Sequence, residues 1–432
     1  MKRILPASIV DFLKNNFFYS GLSYGLKMFN NIVIFALLAR FFPIAVFGII
    51  SLFIVLIKLA ETFTDYGHKL VVIKELSVDQ KLLDDSYLSN KFGLKSFTFF
   101  VVLLGMILYA YTNQFWDYSP LLIVAIVLAG YFSSLTNLNF AIFHSHNKYI
   151  YETVSLVLLS FSLGLALIAS RFMVSESVFI YGYFLGVVVM FLFSSYLVKW
   201  KIKAISFKNI FSKISLNGIG KEFKIILPFA SIVIIEALFG NFDTLMVENY
   251  CSGVDLGLYT GVKKIVAGLT ILMLICSSAI MPMLSRMSKS NIPSSKYKIF
   301  FLFCIVSFLG LCLFMGYFFY NKEVVLLLLG EKFLDITEWD TQVGLLTLTS
   351  YVRIVPGIYF ITSDNEKKRL FITCTGLIFG VLYFYLYLPG QSVKFAVKSI
   401  TEIKVAITAI YCLIFFYILL KPESKKLKTI SE

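Results

Sequence analysis

Long apolar segments recur along the whole chain, and short polar segments that are mostly basic separate them. A helix needs roughly 20 mostly apolar residues to cross a hydrocarbon layer of about 30 Å, and by that measure about twelve segments qualify. They lie near 17–41, 44–63, 92–111, 119–140, 150–170, 178–198, 224–243, 256–281, 299–320, 342–362, 370–388 and 401–420. This pattern predicts an all-α polytopic membrane protein.

The composition agrees with this pattern and excludes a soluble globular chain. Of the 432 residues, 59% are hydrophobic and only 15% are charged. Soluble domains carry about 25% charged residues. A mean hydropathy of +0.84 likewise indicates a chain that lies largely in the membrane.

Basic residues are concentrated in every second polar segment. One set of these segments includes Lys2, Arg3, Lys69, Lys74, Lys148, Lys208, Lys298, Lys367, Lys368, Arg369 and Lys425. Because positive loops face the cytoplasm, both termini of this multi-pass protein are expected there. We attribute the net charge of +14 to this topology and to attraction toward anionic phospholipid, and expect no nucleic-acid partner.

A basic segment near the middle divides the chain into two halves. The predicted parts are a six-helix bundle at 1–198, a basic cytoplasmic linker at 199–223, a second six-helix bundle at 224–420 and a basic cytoplasmic tail at 421–432. Six helices per half give both halves the same orientation, as in parallel-repeat transporters. The segments ARFFPIAVFGIIS and VENYCSGVDLGLYT align with Gly48 opposite Gly257. This arrangement predicts a central cavity between the two bundles.

Several apolar segments contain ionisable residues that lipid would exclude. The bases are Lys27, Lys58, Lys263, Lys264 and Arg353, and the acids are Glu61, Asp65, Glu236 and Asp243. A charge at the bilayer centre costs about 2.5–3.5 kcal/mol on insertion scales. These side chains therefore either form buried salt bridges or line a wet cavity. Their spread over at least five helices favours the cavity, although Lys58 and Glu61 are spaced to pair with each other.

Several motifs resemble those of polysaccharide flippases, whose superfamily also contains the multidrug and toxin extrusion exporters. The segments ILPFA, NFDTLMV, LGLYTG and IMPMLSR are similar to that family's seventh and eighth helices. ALLARFFPIAVFGIISLF and FTDYGHKLVVIKEL resemble its first two helices, and LLLLGEKF resembles a stretch after its ninth. YLPGQSVKFAVKS departs from the family pattern, so the last two helices match least.

The resemblance implies a flippase of the bacterial inner membrane with a multidrug-and-toxin-extrusion-like fold. Its substrate would be an undecaprenyl-pyrophosphate-linked oligosaccharide, an O-antigen or capsule repeat unit, moved to the periplasmic leaflet by alternating access. The five bases named above suit the pyrophosphate, because they donate hydrogen bonds and accept none. The four acids are candidates for coupling to an H⁺ or Na⁺ gradient. Polysaccharide polymerase and chain-length proteins are the expected protein partners.

Two other functions remain open on the sequence alone. A cation-coupled multidrug exporter would share the fold, but an acidic and aromatic cavity would suit its substrates better. A membrane-embedded polysaccharide polymerase or ligase usually has a long periplasmic loop, whereas the longest predicted outside loop here covers 321–341. We therefore expect no enzymatic activity. His144 and His146 lack a third ligand at metal spacing, so neither a metal nor a bound cofactor is expected.

Overall fold

The computed structural model describes residues 19, 21–23, 25–112, 120–173, 175–202, 214–288, 293–363 and 365–420. Nearly all of these residues lie in helices, and none of them lies in a β-strand. Within this part of the chain, 11 helices are long and apolar enough to cross a membrane. The prediction of an all-α polytopic membrane protein is confirmed.

The N-terminal half contains six of these candidate spans. It begins with α1 (Gly21–Phe41), in which one turn, Asn30–Ile34, is π-helical. Next come α2 (Ile44–Asp65) and the shorter α3 (His68–Val78). The remaining helices are α4 (Asp85–Thr112), α5 (Pro120–Ser145), α6 (Tyr149–Met173) and α7 (Glu176–Lys201).

The C-terminal half contains the other five candidate spans. It also contains a pair of consecutive shorter helices that together occupy the place of a sixth predicted span. It begins with α8 (Leu216–Tyr250), followed by the pair α9 (Gly253–Leu269) and α10 (Ile271–Ser288). A 3-10 helix, Glu331–Trp339, lies between the next two long helices. The remaining α-helices are α11 (Pro293–Leu328), α12 (Asp340–Thr362), α13 (Glu366–Tyr387) and α14 (Val393–Leu420).

The eighth predicted helix, at 256–281, is split at Thr270. This residue has φ −90° and ψ 6°, and its hydroxyl donates to the Val266 carbonyl at 2.8 Å. The backbone therefore leaves the α9 spiral before α10 begins. The two pieces have 17 and 18 residues, so neither alone reaches the length of a full span. Apolarity alone could not reveal this break.

Three other predicted boundaries were wrong by several residues. Helix α8 begins inside the segment predicted as linker, because the Ser215 hydroxyl caps it by accepting from the Gly218 N–H at 3.1 Å. Helix α4 begins at Asp85 rather than at residue 92 and therefore also includes Lys91. The predicted outside loop at 321–341 is mostly helical, because the apolar run VVLLL continues α11 as a helix beyond a kink at Tyr320 and a 3-10 helix follows it. Residues 203–213 of the linker and the predicted tail at 421–432 lie outside the described residues.

The two halves meet closely where α2 crosses α9. A Cβ atom added to Gly48 would stand 2.6 Å from the backbone nitrogen of Gly257, so the two backbones touch directly. Phe47 extends the contact through an edge-to-face pair with Phe333, with ring centres 5.3 Å apart. Small residues at a crossing permit such close helix packing in membranes.

A second contact between the halves joins α4 and α3 to the beginning of α8. Lys91 is only 1% exposed and pairs with Glu222 of α8 at 2.5 Å and with Glu75 of α3 at 3.1 Å. We call these three residues the Lys91 latch. A small apolar cluster that includes Leu94 and Ile226 packs nearby. The latch is therefore an ionic contact in which a buried lysine of the N-terminal half is neutralised in part by a glutamate of the C-terminal half.

The turn between α2 and α3 places one glycine against α8. Tyr66 and Gly67 both have left-handed backbones, with φ of 51° and 79°. A Cβ atom on Gly67 would lie 3.3 Å from the backbone nitrogen of Ala230. Glycine thus suits this position for its conformation and for the close approach of α8.

Candidate functional site

A cavity of about 360 Å³ lies inside the N-terminal half. Three of the predicted site residues line it: Lys27 of α1 and Lys58 and Glu61 of α2. Its other polar lining residues are Asn30, Asn31, Lys69, Ser133, Thr136, Asn137 and Tyr183. Four further helices, α3, α5, α6 and α7, contribute to its wall.

The predicted bases of this cavity are paired with carboxylates. Lys27 donates to Glu152 of α6 at 2.6 Å, and Glu152 also contacts His144 Nε2 at 2.6 Å. Glu152 is only 2% exposed. Lys58 pairs with Glu61 within α2 at 2.8 Å, as its spacing predicts. Each ammonium group is thus neutralised locally while it remains at the cavity wall.

The two predicted acids of α2 have separate partners. Glu61 accepts from the Asn137 amide of α5 at 2.8 Å in addition to its bond with Lys58. Asp65 pairs with Lys95 of α4 at 2.7 Å, and the Lys95 ammonium also donates to Ser134 Oγ at 2.7 Å. These contacts tie α2 to its neighbouring helices.

A second cavity, of about 350 Å³, lies inside the C-terminal half. Its charged lining residues are Glu236 of α8, Arg353 of α12 and Arg369 of α13. Arg369 forms an ion pair with Glu236. The Arg353 guanidinium carbon instead lies 5.8 Å from the Phe239 ring centre and 5.9 Å from that of Tyr411.

Asp243 and Lys263 form a compact cluster beside this cavity. Asp243 is 1% exposed and accepts from Lys263 at 2.9 Å and from the Tyr259 hydroxyl at 2.7 Å. The Lys263 ammonium also donates to the Gly240 carbonyl at 3.0 Å and to Thr244 Oγ1 at 2.8 Å. The lysine thus fits a set of three oxygen acceptors on α8.

Lys264 links the two halves without an ion pair. Its ammonium stands over the ring of Phe35 of α1, 3.2 Å from the ring centre. Phe35 also lines the N-terminal cavity. Lys58 and Lys263 are close enough to repel Lys264 electrostatically. Among the described residues, no carboxylate forms an ion pair with Lys264 or with Arg353.

The sequence-predicted site residues therefore fall into two groups. All four acids have a basic partner, and three of the five bases, Lys27, Lys58 and Lys263, have an acidic one. Lys264 and Arg353 rest on aromatic rings instead. Both possible roles of these charges, salt bridge and cavity lining, thus occur in the same molecule.

Several charged residues of these networks were missed from the sequence. Arg369 was assigned to a cytoplasmic loop, because it follows two lysines at the start of α13. Lys95 and Glu152 lie in helices but were not recognised as ion-pair partners. The same is true of Lys404 of α14, which attracts the Asp243 carboxylate electrostatically without bonding to it. Their signal was visible, since each is an isolated charge in or next to an apolar run. The described residues include no cluster of His, Cys, Asp or Glu that could hold a metal ion.

Three solved structures with a similar architecture are a lipid II flippase and two multidrug resistance transporters. The lipid II flippase MurJ in an inward closed conformation superposes with a TM-score of 0.68 at 13% identity, covering 94% of this chain and 87% of that one. An inward-facing multidrug resistance MATE family transporter of the MOP superfamily superposes with a TM-score of 0.67 at 12% identity, covering 92% and 94%. Its outward-facing counterpart gives 0.60 at 13% identity, covering 93% and 94%.

At such low identity these similarities establish the fold alone. Among curated proteins, none matches the sequence. A family model described as polysaccharide biosynthesis protein, however, matches residues 13–288, which is more than half of the chain. The match runs from α1 to the end of α10. The chain therefore belongs to the polysaccharide biosynthesis protein family.

Proposed function

We propose that this protein is a flippase that moves a polyprenyl-pyrophosphate-linked oligosaccharide across the inner membrane by alternating access. The observation that carries the proposal is the lack of charge compensation at Lys264 and Arg353, which lie within membrane-spanning segments. Both are basic, partly buried and held over aromatic rings, with no carboxylate bonded to either in the described part of the chain. An uncompensated charge in this environment is costly, so it is expected where function requires it.

An anionic substrate would supply the missing compensation. The pyrophosphate of a lipid-linked sugar carries negative charge and several acceptor oxygens, which match an ammonium and a guanidinium group. Lys58 and Lys263 lie near Lys264, but each is paired with a carboxylate, so the net positive charge there is that of Lys264 itself. Arg369 is paired with Glu236 in the cavity of Arg353, which leaves the Arg353 guanidinium as the uncompensated charge among the charged lining residues of that cavity. The excess of positive charge also disfavours the cationic drugs that a multidrug exporter would carry.

The orientation in the membrane follows from the basic loops. With both termini in the cytoplasm, the Gly48–Gly257 crossing lies toward the periplasm and the Lys91 latch toward the cytoplasm. Alternating access then requires the halves to separate at one of these two contacts at a time. O-antigen or capsule repeat units are the proposed cargo, and polymerase and chain-length proteins are the proposed partners on the periplasmic side.

Each of the four acids could couple this motion to a gradient. Protonation of Asp243, for example, would remove the charge that holds Lys263 and would release the lysine toward substrate. Protonation of the other acids would release their basic partners in the same way. These pairs are Glu236 with Arg369, Glu61 with Lys58, and Asp65 with Lys95. We propose H⁺ or Na⁺ as the coupling ion.

Polysaccharide export in a strain that lacks its own flippase tests the function. We expect the wild-type chain to restore export, and Lys264→Ala and Arg353→Ala each to reduce it at least about tenfold, since charge-assisted hydrogen bonds contribute roughly 1.5–3 kcal/mol. Arg353→Lys should restore export only in part relative to Arg353→Ala. A lysine ammonium keeps the positive charge but cannot donate the two parallel hydrogen bonds of a guanidinium group. Arg171→Ala, an exposed position at the end of α6, is the matched control.

The same assay separates the alternatives. Full export by the Lys264→Ala, Arg353→Ala double variant, at equal protein level, would refute the role of these cations. Absence of export by the wild-type chain, together with resistance to cationic dyes, would favour a multidrug exporter. Polymer formation from an already flipped precursor would indicate a polymerase or ligase.

A further inference from the structure

The N-terminal cavity combines its charged groups with an unusual number of neutral hydrogen-bonding groups. Three carboxamides and three hydroxyls line it: Asn30, Asn31, Asn137, Ser133, Thr136 and Tyr183. Its volume of about 360 Å³ falls within the range of roughly 300–1,000 Å³ of small-molecule sites. Carboxamides can both donate and accept, which suits a ligand with many hydroxyl groups more than a bare anion.

Two adjacent asparagines reach this cavity because of the irregular turn in α1. Asn30 and Asn31 open the π-helical turn Asn30–Ile34, and both line the cavity. π-Helical turns are rare in proteins, and those that do occur often lie at functional sites. Asn30 Oδ1 is buried and has no hydrogen-bond partner among the described residues. An acceptor left in this state costs free energy unless a ligand or water donates to it.

Other groups of the cavity complete a surface for a sugar ring. Glu61 accepts from Asn137 at 2.8 Å and is thereby held at the wall as a strong acceptor. The almost fully buried side chains of Phe140 and Phe179 form apolar parts of the cavity wall. A pyranose presents hydroxyl donors around its edge and C–H groups on its faces, so it can use both kinds of surface.

The position of this cavity relative to Lys264 fits a substrate in which sugar and pyrophosphate are adjacent. Lys264 stands over Phe35, and Phe35 and Lys58 both line the cavity. We propose that the N-terminal cavity binds the first sugar of the lipid-linked oligosaccharide while the pyrophosphate lies at Lys264. This inference rests on the proposed function, since it assigns a part of the same substrate to a second subsite.

Binding to the purified full-length protein separates the two subsites. The probes are a polyprenyl pyrophosphate without sugar, the same lipid carrying N-acetylglucosamine and the same lipid carrying galactose, with affinities measured by native mass spectrometry. We expect the wild type to bind at least one glycosylated lipid more tightly than the bare lipid. Asn30→Ala and Asn31→Ala should each reduce that preference about fivefold, the effect of one neutral hydrogen bond.

The variants differ in what they should leave intact. Both asparagine variants should keep the affinity for the bare pyrophosphate lipid, whereas Lys264→Ala should weaken binding of all three lipids. Asn241→Ala is the matched control, because the Asn241 amide bonds to Ala237 of its own helix in the other half. The thermal stability of each variant identifies any that fails to fold. Substitution of Asn31 should disturb the fold less than substitution of Asn30, because Asn31 is exposed to the cavity.

Each outcome bears on one of the two proposals. If the wild type binds all three lipids equally, the sugar subsite is refuted and the pyrophosphate site stands. The same holds if Asn30→Ala and Asn31→Ala both retain the full preference for sugar. If the wild type binds none of the lipids, the proposed function fails and the subsite fails with it.

Discussion

Gly48 and Gly257 pack backbone against backbone, and a Cβ atom on Gly48 would lie 2.6 Å from the nitrogen and 2.9 Å from the Cα of Gly257. The same two residues occupy corresponding positions in the faint sequence repeat between the halves. Residues that correspond under a rotation and also touch each other must lie close to its axis. We therefore expect the α2–α9 crossing to lie close to the pseudo-two-fold axis between the halves and to close the periplasmic side until the halves separate there.

A methyl group at this crossing should be poorly tolerated. Both atoms that it would meet first belong to the backbone of α9, so no side chain can move aside. We expect Gly48→Ala to destabilise the protein by about 1–3 kcal/mol, the usual cost of overpacking. The measurement is the thermal unfolding midpoint in detergent, together with export in the strain described above.

Gly105→Ala in α4 is the control for this substitution. A Cβ atom there meets nothing within 4 Å, so the same chemical change should leave the unfolding midpoint unchanged or slightly raised. An equal effect of the two substitutions would mean that the α2–α9 crossing relaxes easily. The close approach of Gly48 to Gly257 would then contribute little to holding the two halves together.

The pair formed by Asp243 and Lys263 can be tested by a double-mutant cycle. Lys263→Met leaves the almost fully buried Asp243 carboxylate with donors from Tyr259 and the backbone among the described residues, and with the longer-range attraction of Lys404. Loss of one partner of a buried pair costs about 3–5 kcal/mol. Asp243→Asn on top of Lys263→Met should recover most of this loss. The free energy of unfolding of the four proteins measures the coupling.

Transport by the double variant then distinguishes a structural pair from a coupling group. Normal dependence on the ion gradient would mean that the pair only holds α8 to α9. Folded protein that transports without regard to the gradient would assign the coupling to Asp243.

The orientation predicted from the basic loops can be tested with reporter fusions. Ser252 caps α9 in the hairpin after α8, and a reporter there should lie in the periplasm. A reporter at Lys208, which lies outside the described residues, should lie in the cytoplasm. A cytoplasmic signal from Ser252 would overturn both the orientation and the assignment of the two contacts between the halves.

Much of the fold could be predicted from the sequence because span length is a strong constraint in a membrane. Apolar runs of sufficient length gave the number and order of the helices nearly correctly. The break at Thr270 was missed because a residue of intermediate polarity inside an apolar run gives no signal of a change in backbone angles. The start of α8 at Leu216 was missed because polar residues can continue a helix beyond the bilayer.

The site was predictable in its residue types but not in its pairs. Asp65 was visible as a buried acid, but its partner Lys95 lies on a different helix, and spacing along one chain cannot give contacts between helices. Lys58 and Glu61 were the exception, since a separation of three residues brings them to the same face of α2. Arg369 was missed because its neighbours Lys367 and Lys368 made it look like part of a loop.

The Lys91 latch should control the separation of the halves on its side of the membrane. Lys91 is 1% exposed, so Glu222→Gln would leave its ammonium with Glu75 alone, at 3.1 Å. A disulfide between Asn90→Cys and Gly218→Cys, in a chain without native cysteines, reports closure because Asn90 contacts Gly218. We expect Glu222→Gln to slow formation of this disulfide about tenfold, equivalent to roughly 1.4 kcal/mol. This is less than the loss of a whole buried pair, because Glu75 still compensates the Lys91 charge.

Glu402→Gln is the control, since Glu402 is exposed and its nearest base, Lys398, lies at the long distance of 3.9 Å. Equal rates of disulfide formation with and without Glu222→Gln would show that the apolar cluster around Leu94 and Ile226, not the ion pair, holds this side closed.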